Sequence, residues 1–275
     1  MADATLIVGR NSLLARAFRD HGGVADCRFV GHDELDRPDL LNGVGRIVNF
    51  AFHPDLRNGP YRADLDIDLR LGRAAAERGL RYVMISTRKV YAPDHAFGAS
   101  EMSPLGPVDA YGRNKLTIER LLSNLLGDRL TVLRIGNVVG YDRQSSRPSF
   151  MSMLLGRLAE EGRVVLDVSP FVQRDFLPIE QVAAAIRSVL NHDFAGVFNI
   201  GSGASVEVGR LALWVIEGFG RGELVISSPR VHDEFVLDVR RLRAATDWYW
   251  PAGALPEYCR SLGRRLNKAE TAGGH

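Results

Sequence analysis

Five short apolar runs, Thr5–Val8, Arg28–Val30, Arg46–Asn49, Tyr82–Ser86 and Thr131–Ile135, alternate with stretches of helical periodicity at Leu13–Asp20, Ala63–Arg78 and Tyr111–Leu126. Strands rich in Val and Ile that alternate with helices predict a parallel sheet covered on both faces. The doubly wound, Rossmann-type sheet that binds dinucleotides is the leading form of this α/β class. After about Gly140 the rhythm changes. Asp142–Pro148 is polar and turn-prone, Phe150–Glu161 reads as a helix, and the segments around Gln181–Asn191, Phe198–Gly203 and Val206–Gly218 mix helix and strand signals. The expectation is a large sheet domain from residues 1–140 plus about 176–200, a smaller mixed α/β C-terminal domain from about 141–175 plus 201–267, and a frayed tail over 268–275.

Charge and composition exclude several functions. The 35 Lys and Arg residues against 33 Asp and Glu leave a net charge of +2, and the arginines are scattered, so no stretch predicts a nucleic-acid surface. Cys27 and Cys259 are too few and too isolated for a disulfide framework or a metal site. No apolar run approaches the roughly 20 residues of a membrane span. The first residues enter a strand without a basic leader, so the expected location is the cytoplasm.

Tyr111 and Lys115 are four residues apart in a helical stretch, which puts phenol and ammonium on one face. A free phenol, with a pKa near 10, is too weak an acid to serve as a base at neutral pH. A cation about 4 Å away in a partly desolvated site stabilises the phenolate by on the order of 4 kcal/mol. Such a pair can move a proton while hydride moves to or from carbon. Alone the spacing is weak, because roughly a third of chains with this many tyrosines carry it by chance. Ser86 and Thr87 add to it. They close a strand at its carboxyl end, where such sheets hold ligands, and Thr87 lies 24 positions before Tyr111.

Several ordered motifs together resemble the extended short-chain dehydrogenases/reductases that act on nucleotide sugars. The family's Ser-Ser/Thr-x-x-Val-Tyr stretch matches Ser86–Tyr91, and its Pro-x-x-x-Tyr-x-x-x-Lys region matches Pro107–Lys115, followed by Glu119. Further matches are Leu133–Gly140, Arg174–Ile179, Asn199–Gly203 and Leu237–Arg243. The resemblance implies that Tyr111 is the acid/base, that Lys115 tunes it and binds the nicotinamide ribose, and that Thr87, helped by Ser86, holds the reacting sugar oxygen. It further implies that Asn137 contacts the substrate and that Arg174 contacts the nucleotide diphosphate, a task suited to a planar guanidinium fork. A salt link between Arg174 and a nearby acid is the plainer alternative. The partners implied are a nucleotide-sugar substrate, bound largely by the C-terminal domain, and a second copy of the chain. The dimer would form through Ala63–Arg78 and Tyr111–Leu126, with Leu116, Leu121, Leu122 and Leu125 facing either the partner or the sheet.

The cofactor loop departs from the family's Gly-x-x-Gly-x-x-Gly, since its three glycine positions are Gly9, Ser12 and Ala15. Gly9, Arg10, Asn11, Ser12, Leu13 and Leu14 are the expected cofactor contacts there, and Ser12 adds bulk where the phosphates approach. Ala51, Phe52 and His53 occupy the family's Leu-Ala-Ala stretch and would line the cofactor, although a packed or solvated His53 is the simpler expectation. The second strand ends Phe29-Val30-Gly31-His32 without the acid that binds adenosine ribose in NAD enzymes, and Arg10 suits a 2′-phosphate. The run His32–Asp36 also resembles the NADPH-using deoxysugar reductases. NADP(H) is therefore favoured, with NAD(H) as the alternative.

Arg88 and Lys89 follow Thr87 where 4,6-dehydratases carry an Asp-Glu pair, and Lys89 stands where the fucose-forming epimerase-reductases carry cysteine. Both reactions are disfavoured. The expected reaction is NADPH-dependent reduction of a 4-keto-sugar nucleotide. The alternatives are 4-epimerisation with retained NAD and a non-catalytic nucleotide sensor. The cluster Trp248-Tyr249-Trp250 is expected in the core.

Overall fold

A computed structural model describes residues 4–23, 25–93, 95–141, 150–231 and 233–273. The main sheet contains β1 (Ala4–Val8), β2 (Cys27–Val30), β3 (Val44–Asn49), β4 (Arg81–Thr87), β5 (Leu130–Ile135) and β6 (Gly196–Ile200). They lie in the order β6-β5-β4-β3-β1-β2, and every neighbouring pair is parallel. The order reverses at β1, which has β2 on one side and β3 on the other. The crevice beyond the carboxyl ends of β1 and β3 is where such sheets bind ligands.

Side chains alternate across the sheet, as a period of two requires. Leu6, Val8, Ile47, Tyr82, Met84 and Val132 face one core, where α2 (Ile67–Arg78) and α3 (Ala110–Leu126) pack. Ile7, Val48, Val83, Ile85 and Leu133 face the other, against α1 (Leu13–Ala17) and α4 (Ile179–Asn191). With both faces covered, the interior strands read as nearly continuous apolar runs. The helices α2 and α3 cross closely, because a Cβ on Gly72 would lie 2.4 Å from Leu122 Cδ2. Leu116 and Leu122 are buried, whereas Leu121 and Leu125 are half-buried.

A third core joins Phe150–Glu161, Val208–Phe219 and Leu255–Gly273, with the parallel strands Arg163–Leu166 and Glu223–Ile226 beside them. The latter two helices touch backbone to backbone. A Cβ on Gly218 would fall 2.0 Å from the Arg260 carbonyl oxygen, and one on Gly263 would fall 2.2 Å from that of Val215.

Three expectations change in detail. The helix anticipated over Ala63–Arg78 breaks at Asp66, whose carboxylate accepts the Leu69 N–H at 2.9 Å and caps α2. The tail from Lys268 is helical as far as Gly273, since Ala-Glu-Thr-Ala contains no helix breaker. Of the aromatic cluster, Trp248 is buried, Trp250 is half-buried and Tyr249 is exposed. The turn expected over Asp142–Pro148 lies outside the described residues.

Asp175 ties the turn after β6 to the strand Phe235–Leu237. Its buried carboxylate accepts from Ser202 N–H and Oγ–H at 2.7 and 2.6 Å, and from the Gly203 and Leu237 N–H groups at 3.2 Å each. Burial pushes this carboxyl up despite those bonds. Asp175→Ala strands several buried donors, each costing roughly 1–3 kcal/mol. The expected loss is about 3 kcal/mol, or a fall of roughly 6–12 °C in melting temperature by calorimetry.

Candidate functional site

The loop after β1 needs glycine at one position and has it there. Gly9 has φ +89°, and a Cβ on it would lie 2.8 Å from Ala51 N, so the ends of β1 and β3 nearly touch. Ser12, at φ −71° and ψ 149°, is ordinary extended backbone. Its hydroxyl accepts the Ala15 N–H at 3.1 Å and caps α1, so the bulk expected of Ser12 serves the helix that it starts. Ala15 is fully buried. Leu13 and Leu14 are half-buried against the core, while Asn11 is exposed and accepts from Arg16 through its carbonyl.

The end of β2 differs from expectation. A short turn over His32–Glu34 folds the Glu34 carboxylate back onto the Gly31 N–H at 2.8 Å, and Arg10 pairs with that same carboxylate. An acid therefore does stand at the end of β2, supplied four residues past Val30. The Arg10 guanidinium, expected to be open to a 2′-phosphate, already has an anionic partner.

Beyond β3, the Asn49 side chain braces the next turn. Its Oδ1 accepts the Ala51 N–H at 2.9 Å and its Nδ2 donates to the Ala51 carbonyl at 3.1 Å. The turn aims Phe52 at α3. Its ring meets Tyr111 edge-on, centroids 5.2 Å apart, and the Lys115 Nζ lies 4.5 Å from the Phe52 centroid. The pair thus shares one side of α3, with an aromatic ring in contact with both. The Arg57 guanidinium lies 5.0 Å from the centre of the Tyr111 ring. His53 turns toward Asp55, whose N–H its Nδ1 accepts at 3.3 Å.

Thr87 ends β4, and its Oγ1 accepts the Lys89 N–H at 3.3 Å. Ser86 points elsewhere: its hydroxyl donates to the buried Glu119, which also holds Arg134 at 2.7 Å. This geometry gives Ser86 a supporting place beneath α3. The start of α3 is pressed against the turn after Thr87, because a Cβ on Gly112 would fall 2.3 Å from the Lys89 carbonyl oxygen. Asp109 caps the helix by accepting the Gly112 N–H at 2.7 Å, and Lys89 Nζ donates to it at 2.5 Å. Burial opposes the charged form of Asp109, but the Lys89 ammonium and the Gly112 N–H outweigh it and hold the carboxyl below its ordinary value.

Among the residues expected to meet substrate, Asn137 donates to the Asp175 carbonyl at 2.8 Å and accepts from Arg88 Nε at 3.2 Å. Arg88 grips Asp233 with both terminal nitrogens, at 2.7 and 2.6 Å. Arg174 reaches the same carboxylate at 3.5 Å and the Asp233 carbonyl at 3.1 Å. The salt link weighed against a diphosphate role for Arg174 is therefore present in this structure. Burial works against the charged form of Asp233, yet Arg88 and then Arg174 keep its carboxyl below the ordinary range.

A family model described as "NAD dependent epimerase/dehydratase family" matches residues 46–201, more than half of the chain. The chain belongs to that family. It is 29% identical over 209 residues to an ADP-L-glycero-D-manno-heptose-6-epimerase of Pseudomonas paraeruginosa, covering 67% of this chain and 63% of that protein. A second curated relative is covered to 66% of its length, so the match spans slightly less than two thirds of either. Among solved structures, a UDP-N-acetylglucosamine 4-epimerase from Methanobrevibacter ruminantium M1 superposes with TM-score 0.81 at 15% identity, over 97% of this chain and 99% of that one. RMD from Pseudomonas aeruginosa, complexed with NADPH, gives 0.78 at 21% over the same shares. At such identities these likenesses establish the fold. No helix among the described residues is long and apolar enough to cross a membrane.

Sequence reasoning passed over Asp68, Tyr82 and Asn114. Asn114 ties α3 to the turn Asp55–Asn58 by donating to the Leu56 and Gly59 carbonyls at 2.6 and 3.0 Å. Asp68 left a signal, since it shares one helical face with the buried Leu71, Gly72 and Ala75. A carboxylate on a core-facing stripe calls for partners.

Two measurements check this assembly. Gly112→Ala forces α3 off the Lys89 carbonyl and is expected to cost about 1–3 kcal/mol of stability and up to about a hundredfold in turnover. Asp109→Ala is expected to cost about 1 kcal/mol in urea unfolding. Because the folded Asp109 carboxyl is depressed, that difference is full above pH 3.8 and disappears as pH falls through the lowered folded value.

Proposed function

We propose that this chain is an NAD(P)-dependent oxidoreductase of nucleotide-activated sugars, and that it reduces a 4-keto-sugar nucleotide with NADPH. The supporting observation is the close seating of α3 on the end of β4, which brings Tyr111 to the turn after Thr87 and puts Lys115 one helical turn further on. The residues at the crevice fit a dinucleotide. Gly9 lets the chain pass beside Ala51 where a side chain would block it, and Ser12 starts α1 without strain. Gly9–Leu14 and Ala51–His53 would hold the cofactor, which supplies hydride when bound.

The protein's own part in the reaction is proton transfer and orientation. Tyr111 Oη donates a proton to the sugar C4 oxygen as that carbon is reduced, and Thr87 Oγ1 donates a hydrogen bond to the same oxygen. Lys115 binds the nicotinamide ribose and stabilises the phenolate left on Tyr111. Asn137 and Arg174 orient the sugar and its diphosphate. Neither Arg88 nor Lys89 can act as the carboxylic acid and base of a dehydratase, and each is engaged with a carboxylate, Asp233 and Asp109. A second reading, 4-epimerisation with retained NAD, is favoured by Glu34, which stands where NAD enzymes place an acid for the adenosine ribose. A homodimer through the outer faces of α2 and α3 belongs to the same proposal.

An absorbance assay separates these readings. Consumption of NADPH with a 4-keto-sugar nucleotide is the expected result. Purification with bound NAD and interconversion of C4 epimers would favour the second reading. No dinucleotide binding at millimolar concentration would leave a non-catalytic sensor. In either enzyme Tyr111→Phe is expected to lower turnover by about 10²–10⁴-fold with an unchanged melting curve, and a fully active variant would remove Tyr111 from the mechanism.

A further inference from the structure

Beneath the crevice, three elements converge on one carboxylate that lies outside the expected set of site residues. Asp68 of α2 is 2% exposed and Lys115 of α3 is 4% exposed. Asp68 Oδ1 accepts from Asn49 Nδ2, at the end of β3, at 2.7 Å and from the Tyr82 hydroxyl, on β4, at 2.9 Å. Its Oδ2 faces Lys115 Nζ at 3.4 Å, and that nitrogen also donates to the Ile85 carbonyl at 2.7 Å. Burial, and then the adjacent Asp68 charge, push the Tyr82 phenol well above its ordinary value, so Tyr82 remains a donor. Asp66 is close by, but its oxygens are taken by the Leu69 N–H and the Tyr61 hydroxyl.

A lysine ammonium has three donors. Asp68 and the Ile85 carbonyl engage two of them, and the Phe52 ring lies 4.5 Å from the same nitrogen. Packing alone does not call for an acid at position 68. On this face of α2, beside Leu71, Gly72 and Ala75, an apolar side chain would avoid the desolvation that a buried ion pair suffers. The carboxylate is better explained by what it does to Lys115.

We infer that Asp68 is the positioning residue of the Tyr111/Lys115 pair. It anchors the Lys115 ammonium against the end of β4 so that one N–H stays directed to the ribose of the dinucleotide. This rests on the cofactor reading above. Asn49 and Tyr82 fix the carboxylate, which in turn fixes the lysine, so the ammonium is set before the dinucleotide arrives.

The test is a double-mutant cycle on dinucleotide affinity, read by fluorescence titration with NADPH and, in parallel, NADH. The proteins are the parent, Asp68→Asn, Lys115→Met and the double variant, with melting curves recorded for each. Asp68→Asn is expected to weaken binding at least tenfold in the parent and less than twofold in the Lys115→Met background, because its effect passes through Lys115. Equal losses in both backgrounds, or no loss in the parent, would overturn the role of Asp68 while leaving the cofactor reading intact. A parent protein that binds neither dinucleotide overturns both. If Asp68→Asn does not fold, Asp68→Glu, which keeps the charge but displaces it, enters the same cycle with the same two outcomes.

Discussion

Backbone pressed against backbone is the constraint from which the rest of this molecule follows. At Gly9 the end of β1 meets the turn after β3, and at Gly112 the start of α3 meets the turn after β4, both at distances that a Cβ would violate. The first contact lies where the strand order reverses. The second seats the helix that carries Tyr111 and Lys115 against the turn that follows Thr87. Interiors are packed densely enough that one added methyl at either place must move a main chain. The chemistry of the site therefore depends on two absent side chains as much as on those present.

Charges buried around these contacts come in partnered sets. Glu119 meets Arg134, Asp68 meets Lys115, and Arg88 meets Asp233. Asp175 is satisfied by N–H and O–H donors, which only partly offset the burial that drives its carboxyl up. Such groups are weak evidence for stability in themselves, since an apolar replacement is often no worse. They specify geometry instead. Glu119 steadies the strand end through Ser86, and Asp175 fixes the turn on which Asn137 depends.

Much of the sheet was legible because its strands are buried on both faces and read as apolar runs. Phe150–Glu161 was recoverable to its ends for a similar reason, its apolar periodicity. Tyr111, Lys115 and Thr87 stood out through spacing and resemblance. The cofactor loop was harder to judge. Counting glycines treats Ser12 and Gly9 alike, but only Gly9 occupies a backbone conformation that excludes other residues. The acid at Glu34 was missed because a short helical turn, rather than the strand itself, returns it to the end of β2. Asp68 and Tyr82 were invisible as a pair, since their meeting depends on how α2 lies across β4.

The carboxylate held between Arg88 and Arg174 alters how an anion would enter. Two guanidiniums are already engaged there, so capture of a diphosphate would be an exchange in which a tethered anion leaves as a free one takes its place. The tether keeps the local concentration of the competitor high, and a small monoanion gains little from the trade. A ligand with several charged oxygens would be able to span both arginines together, so valence, rather than charge alone, would decide whether the exchange is favourable.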